Sequence, residues 1–303
     1  MMRDDKPGAF LHRLSATDAA GRQKWFALGF LVLAWFVFDP VERTINHPLA
    51  AALDLPSLVN GEMSLGHYAV LMVVRLLLDC IVVGGVLGLL DLRWRGFPLA
   101  GRGALRLALL GIGIGIVVMT GAILAILAMG SAWAAVSVQS GGAAFAHGAG
   151  WLAADFVGAT GEELYGRVAV LLVAERFVGW RGAIVVSGLM FSVLHLGNPG
   201  ASWIWLLRLG VQGALLAYAV YRTGSVWWSC GYHTGWNWAS APLFGAAGSG
   251  YFDQGHLLTF QPTGSVWITG GSVGPEGSVF AFVAVFYAFG LLCAMTPGRR
   301  ARR

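Results

Sequence analysis

Eight apolar runs follow one another along this chain, and most are separated by short polar gaps. A helix crossing the hydrocarbon core of a bilayer needs roughly 20 apolar residues. The runs Trp25–Phe38, Tyr68–Leu90, Leu105–Met129, Gly150–Val173, Gly182–Leu196, Trp203–Tyr221, Ser225–Gly245 and Val279–Met295 are read as such spans. The first, fifth and last are short, a mismatch that snorkelling side chains or local thinning can absorb. Seven spans result if Trp25–Phe38 only lies in the interface. Charged residues make up 12% of the chain, against about 25% in soluble domains, so there is too little polar surface for all these runs to be buried in water. The expected fold is an all-α, polytopic membrane helix bundle of about eight transmembrane helices, with residues 1–303 forming a single membrane domain.

The basic residues orient it. Cytoplasmic loops are enriched in Lys and Arg. With the N-terminus inside and eight spans, the inner segments hold Arg3, Lys6, Arg13, Arg22 and Lys24, then Arg93, Arg95, Arg102 and Arg106, then Arg176, Arg181 and Arg222. The tail adds Arg299, Arg300, Arg302 and Arg303, and the outer segments hold only Arg43. An error in the number of spans would invert every later loop, so both termini are expected in the cytoplasm, most naturally of a prokaryotic plasma membrane. The net charge of +5 is this inside bias, and no nucleic-acid partner is needed to explain it; the partner the composition implies is the lipid bilayer. Residues 1–24 are an inner segment, of which the first ~20 can lie on the membrane as an amphipathic helix. With Asp4 and Asp5 and no early apolar stretch, they do not read as a secretory signal. Residues 296–303 are a basic inner tail. Residues 246–277 form a Gly-rich outer loop, whose alternating stretches His256–Phe260 and Ser265–Thr269 read as a small β-hairpin. Cys80, Cys230 and Cys293 form no CxxC pair and read as packing residues rather than a disulfide or thiolate framework.

Charges in the spans point to function. The fourth span contains Glu162, Glu163 and Arg167 within six residues. Each ionised group at a helix centre costs about 2.5–3.5 kcal/mol to insert, and such groups face the bundle interior and mark sites. Glu163 and Arg167 are spaced i,i+4 with the acid first, the favourable order for a pair. Glu162 has no such partner in its helix, and a desolvated carboxylate takes a proton from water more readily than an exposed one. In the fifth span Phe191 and His195 share a face at i,i+4, and in the seventh His233 and Asn237 do the same. Counted along the helices from Arg176, Arg181 and Arg222, Glu162, His195, His233 and Asn237 lie ~17–22 Å from the inner flank of a core ~30 Å thick. Two carboxylates, two imidazoles and a carboxamide therefore share one layer, residues 150–245 being the core that carries them. Arg75 and Asp79 in the second span read as a structural pair, and Arg208 and Gln212 in the sixth as polar lining.

The chain shows no HExxH, rhomboid-type GxSG, GxGD or phosphate-loop pattern. A Glu base, an imidazole sharing its water and a His/Asn oxyanion pair suit peptide hydrolysis.

EExxxR (Glu162, Glu163, Arg167), FxxxH (Phe191, His195) and HxxxN (His233, Asn237), in that order and at membrane depth, resemble the CAAX protease and bacteriocin-processing family of intramembrane endopeptidases. The resemblance covers roughly Gly150–Gly245. It implies cleavage of a peptide bond in a membrane-associated or lipidated substrate, which in some relatives follows a prenylated cysteine. It assigns Glu162 as base, His195 as co-holder of the water and His233 and Asn237 as oxyanion donors, with Glu163, Arg167 and Phe191 in support. Gly166-Arg167-Val168 departs from relatives that place an aromatic before the Arg and a Gly after it, which bears on substrate packing. Two chemistries fit: Glu162, His195 and His233 can form a two-His, one-carboxylate zinc site, or the same groups can activate water with no cofactor, which Asn237 favours as a poor zinc ligand and a good donor. Two other functions use the same scaffold, a catalytically silent adaptor or immunity protein that binds a peptide or partner, and a transporter with Glu162 and Glu163 as its ion site. A transporter is expected to show inverted repeats and paired broken helices, neither of which the sequence has.

Overall fold

A computed structural model describes residues 20–59, 61–92, 99, 103–136 and 141–296. The surface helix expected near the N-terminus and nearly all of the basic tail lie outside the described residues. The architecture is all-helical, with two small two-stranded ribbons. Five helical stretches are long and apolar enough to cross a membrane, and Val279–Met295 is a shorter apolar helix.

The first helix, α1 (Ala20–Ala52), is far longer than the apolar run Trp25–Phe38 that marks it. It continues through Asp39, Glu42 and Arg43 because its polar end finds a neighbour: Arg75 Nη1 on α2 lies 3.8 Å from Glu42 Oε2. The turn between β1 (Leu58–Val59) and β2 (Glu62–Met63) leads into α2 (Leu65–Leu89), capped by Ser64, whose side chain accepts from the His67 N–H at 3.3 Å. Next come α3 (Ala104–Ala128) and β3 (Ala132–Val136). Then α4 (Gly141–Leu164) runs through a π-helical turn (Tyr165–Val170) into α5 (Leu171–Leu194), which breaks at Gly179. Gly179 has φ 68°, a conformation that a Cβ penalises, and its non-helical backbone separates the fourth and fifth apolar runs into two distinct helical segments. After α6 (Trp203–Thr223), α7 (Trp227–Trp238) widens into a second π turn (Ala239–Leu243) around Pro242. Then follow β4 (Leu258–Pro262), the single turn α8 (Val266–Thr269) and α9 (Val279–Met295).

The hairpin expected inside residues 246–277 does not form. β4 pairs antiparallel with β3, Phe260 opposite Ala134, and residues 266–269 are helical. The partner strand lies more than a hundred residues upstream, where local alternation gives no sign of it. This pairing brings the loops after α3 and α7 to one end of the bundle. The loop before α2 joins them, its Met63 N–H donating to the Phe252 carbonyl at 2.7 Å. So does the loop after α5, through Asn198 Nδ2 to the Ser249 carbonyl at 3.0 Å. At the opposite end Trp227 Nε1 donates to the Leu99 carbonyl at 2.6 Å, and Arg222 reaches Thr296 and the Cys293 carbonyl.

Arg208 and Gln212, read as polar lining, are both fully buried and serve as an anchor. Arg208 is buried and grips Glu276, Nη2 to Oε2 at 3.0 Å and Nε to the backbone carbonyl at 3.0 Å, while Gln212 accepts from Nη1. Trp205 Nε1 and Ser249 Oγ also donate to Glu276 Oε2. The charge in the sixth run therefore anchors the loop that follows α7.

Two large apolar clusters pack the bundle, one joining α1, α2, the π turn and α5 with the ends of α6 and α7, the other joining α3, α6, α7 and α9, and a third, smaller one groups Phe191, Trp205, Leu209 and Val273. Large apolar side chains such as Phe36, Leu77, Ile81, Leu109, Leu189, Val283 and Phe286 point outward, as lipid-facing residues do. α3 and α7 meet backbone to backbone through Gly111 and Gly115 on one side and Gly231 and Gly235 on the other. A Cβ on Gly235 would lie 2.2 Å from the Ile112 carbonyl oxygen, so small residues set this approach. Gly235→Ala is expected to push the helices apart and lower the thermal midpoint in detergent, by roughly 1–3 kcal/mol for overpacking. Gly113→Ala, where a Cβ meets nothing within 4 Å, is the control and should leave the midpoint unchanged or raise it.

Candidate active site

The π turn begins two residues after Glu163, and such insertions frequently fall at functional sites. It carries Arg167, whose Nε lies 3.1 Å from Glu163 Oε2, both side chains fully buried. The other Glu163 oxygen, Oε1, is 3.0 Å from His233 Nδ1 on α7. Glu163 thus sits between a guanidinium and an imidazole and joins α4 to α7. Phe191 is the common wall. The Arg167 guanidinium stacks 4.3 Å from its ring centroid, and its edge contacts the rings of His195 at 4.8 Å and His233 at 5.5 Å.

Glu162 points the other way, into a cavity of about 260 Å³. His195, His233 and Asn237 line the same cavity, beneath the loops that carry Met63, Asn198, Ser249 and Tyr251. His195 caps the end of α5, and its Nδ1 is 2.8 Å from the Phe191 carbonyl oxygen. A carbonyl can only accept, so Nδ1 carries the hydrogen and the neutral ring presents the Nε2 lone pair. That nitrogen lies 3.9 Å from Glu162 Oε2, an oxygen with no hydrogen-bond partner of its own. Trp205 packs edge-on against the outer side of the His195 ring at 5.8 Å, and through the Trp205–Glu276 bond the ring is steadied by the same anchor that holds the outer loop.

The five residues singled out on α4, α5 and the π turn, with His233 and Asn237, are therefore gathered around one point. Three others on the same cavity, Tyr68, Asp155 and Asp253, carry no motif in the sequence, and Arg75, which reads from sequence as a partner for Asp79, also faces the cavity. Tyr68 with Arg75, and Asp155 with Glu162, are each seven residues apart, the spacing that puts two side chains on one helix face two turns apart; that spacing was the available signal.

A zinc ion needs three or four donors at about 2.0–2.2 Å. Among the described residues no three His, Cys, Asp or Glu side chains are placed to hold a metal; the Glu163 contact occupies His233 Nδ1 and leaves its Nε2 facing the cavity.

No curated protein and no solved structure matches the chain. Residues 148–239, which hold all three motifs and none of the flanking helices, match the model described as Rce1-like type II CAAX prenyl endopeptidase. The match spans this segment alone, and over it the chain is similar to prenyl endopeptidases of the CAAX protease type.

Proposed function

We propose that the chain is an intramembrane endopeptidase that hydrolyses a peptide bond with a water activated by Glu162. The observation that carries this reading is the 3.9 Å gap between Glu162 Oε2 and His195 Nε2, two acceptors facing each other across a cavity. A water ~2.8 Å from each, the usual hydrogen-bond length, subtends about 90° at its oxygen. That is near the angle between its own two hydrogens, so one water donates to both and turns its lone pairs towards the substrate.

As the water oxygen bonds to the carbonyl carbon, its proton passes to Glu162 and the carbonyl oxygen becomes an oxyanion. Asn237 Nδ2 donates to it. With Glu163 accepting at Nδ1, a protonated His233 donates from both nitrogens and leaves Nε2–H for the oxyanion. When the intermediate collapses the carbon–nitrogen bond breaks, the proton on Glu162 goes to the leaving amine, and the carboxylate is restored. Every proton is accounted for by the chain's own residues and one water. Asn237→Ala should lower kcat by ~10²–10³, the usual effect of removing one oxyanion donor, with KM little changed; an unaltered kcat would remove Asn237 from this role.

The substrate is read as a lipidated or membrane-embedded peptide. An apolar groove of about 560 Å³ lies between α1 and α5. It shares Trp35, Tyr165 and Val193 with a second cavity of about 440 Å³ that reaches Glu162. We read the topology as eight crossings with both termini cytoplasmic. Gathering alternate loops at opposite ends of the bundle supports this, as does the arginine distribution, and the cavity then lies beneath the arginine-poor loops. The test is cleavage of a farnesylated CaaX peptide and of its unlipidated counterpart by purified protein in detergent, each with and without a strong zinc chelator. Cleavage that survives chelation supports a glutamate-type mechanism, and cleavage abolished by chelation contradicts it.

A further inference from the structure

We propose that Asp155, with Asp253 beside it, forms a subsite for a cationic side chain of the substrate, about three residues from the bond that is cut. The proposal rests on the protease reading for the position of that bond, and on separate residues for the subsite itself.

Asp155 is only 3% exposed, yet it forms part of the cavity wall. One carboxylate oxygen, Oδ1, accepts from the Tyr68 hydroxyl at 3.3 Å, and Oδ2 has no hydrogen-bond partner. A buried carboxylate oxygen without a donor is costly unless something else supplies one. The nearby groups do not. Asp253, on the loop after α7, lines the same cavity. Burial and the Glu62 carboxylate hold Asp253 well above the usual carboxylate range, as expected of an acid short of a counter-charge. His256, the basic group on this loop, is 3.7 Å from Glu62. Arg75 is two turns along α2 from Tyr68, level with Glu162 rather than Asp155. One end of the cavity thus has an excess of acid that no described cation offsets, and it adjoins the proposed catalytic end.

The spacing sets the register. Asp155 and Glu162 share a face of α4 two turns apart, ~10.5 Å along the axis at 1.5 Å per residue. An extended peptide advances ~3.3 Å per residue. A substrate lying along α4 with its scissile bond at Glu162 therefore places a side chain about three residues away against Asp155. A lysine or arginine there makes a charge-assisted hydrogen bond to Oδ2.

The test uses the full-length Glu162→Gln protein in lipid nanodiscs, so that binding is read without turnover. The probes are fluorescent farnesylated CaaX peptides with lysine, or norleucine in its place, three residues to either side of the prenyl-cysteine bond. Fluorescence anisotropy should show the lysine peptide binding about tenfold or more tighter at one of the two positions, the scale of a charge-assisted contact. Asp155→Asn should bring that ratio to about one, and Asp253→Asn should reduce it, with thermal midpoints close to the parent. Equal binding of the two peptides, absence of binding by both included, overturns the subsite, as does a ratio that Asp155→Asn leaves intact. A lysine preference that holds while the Glu162-intact protein cuts no peptide would overturn the protease reading and leave the subsite standing.

Discussion

Glu162→Gln is expected to lower kcat by ~10²–10⁴, the contribution of a positioned general base. The amide keeps the shape of the side chain and the 3.9 Å spacing to His195, but it cannot take the proton of the attacking water. The loss should fall on kcat and kcat/KM alike, because the base acts in the transition state and not in ground-state binding. The fold should be retained, since Gln keeps the shape of the side chain and Glu162 Oε2 has no hydrogen-bond partner to lose. A variant that keeps its fold and its activity would show that some other group activates the water. Steady-state cleavage of the same peptide by both proteins, with a melting curve for each, decides between these outcomes.

Arg167→Leu should instead be a loss of stability. The guanidinium is fully buried, 3.1 Å from Glu163, and stacked on Phe191. Its removal leaves the Glu163 carboxylate buried with only His233 to answer it, and breaking one side of such a pair costs about 3–5 kcal/mol. The double variant Glu163→Leu/Arg167→Leu should recover part of that loss, because no uncompensated charge is left behind. It should nonetheless stay inactive, since His233 loses the carboxylate that orients its Nδ1. Denaturant titration in detergent reads the stabilities, and peptide cleavage reads the activity. If the double variant is less stable than Arg167→Leu alone, the buried pair is not what the single change disrupts.

These two predictions concern adjacent carboxylates with opposite surroundings, and that contrast was legible in the chain. The i,i+4 spacing of Glu163 and Arg167 marks a pair, and the ~100° step to Glu162 marks a group turned elsewhere. The expected layer of Glu162, His195, His233 and Asn237 rests on helical rise and arginine positions alone, and the structure brings those four side chains to one cavity. What sequence did not show depends on contacts far apart in the chain. The β3–β4 ribbon joins residues whose pairing leaves no local pattern, so the alternation in 256–269 was misread as a hairpin. Arg208 reads as cavity lining until Glu276, on a remote loop, is seen to hold it. Helix α1 outruns its apolar segment because Glu42 meets Arg75, an interhelical contact that hydropathy does not record. Asp155 was passed over for another reason. A single acid in an apolar run attracts no motif, and its meaning comes from Tyr68, Asp253 and the cavity, three elements that only folding assembles.

The central claim is that a protein carboxylate, rather than a bound ion, activates the water. Its most direct test is mass spectrometry of a farnesylated CaaX peptide incubated with the purified protein under a strong zinc chelator, alongside Glu162→Gln. Loss of the three residues after the prenylated cysteine with the unaltered protein, and an intact peptide with Glu162→Gln, is the predicted result. Cleavage that stops on chelation and returns with added zinc, or cleavage that Glu162→Gln carries out as well as the unaltered protein, would contradict the claim.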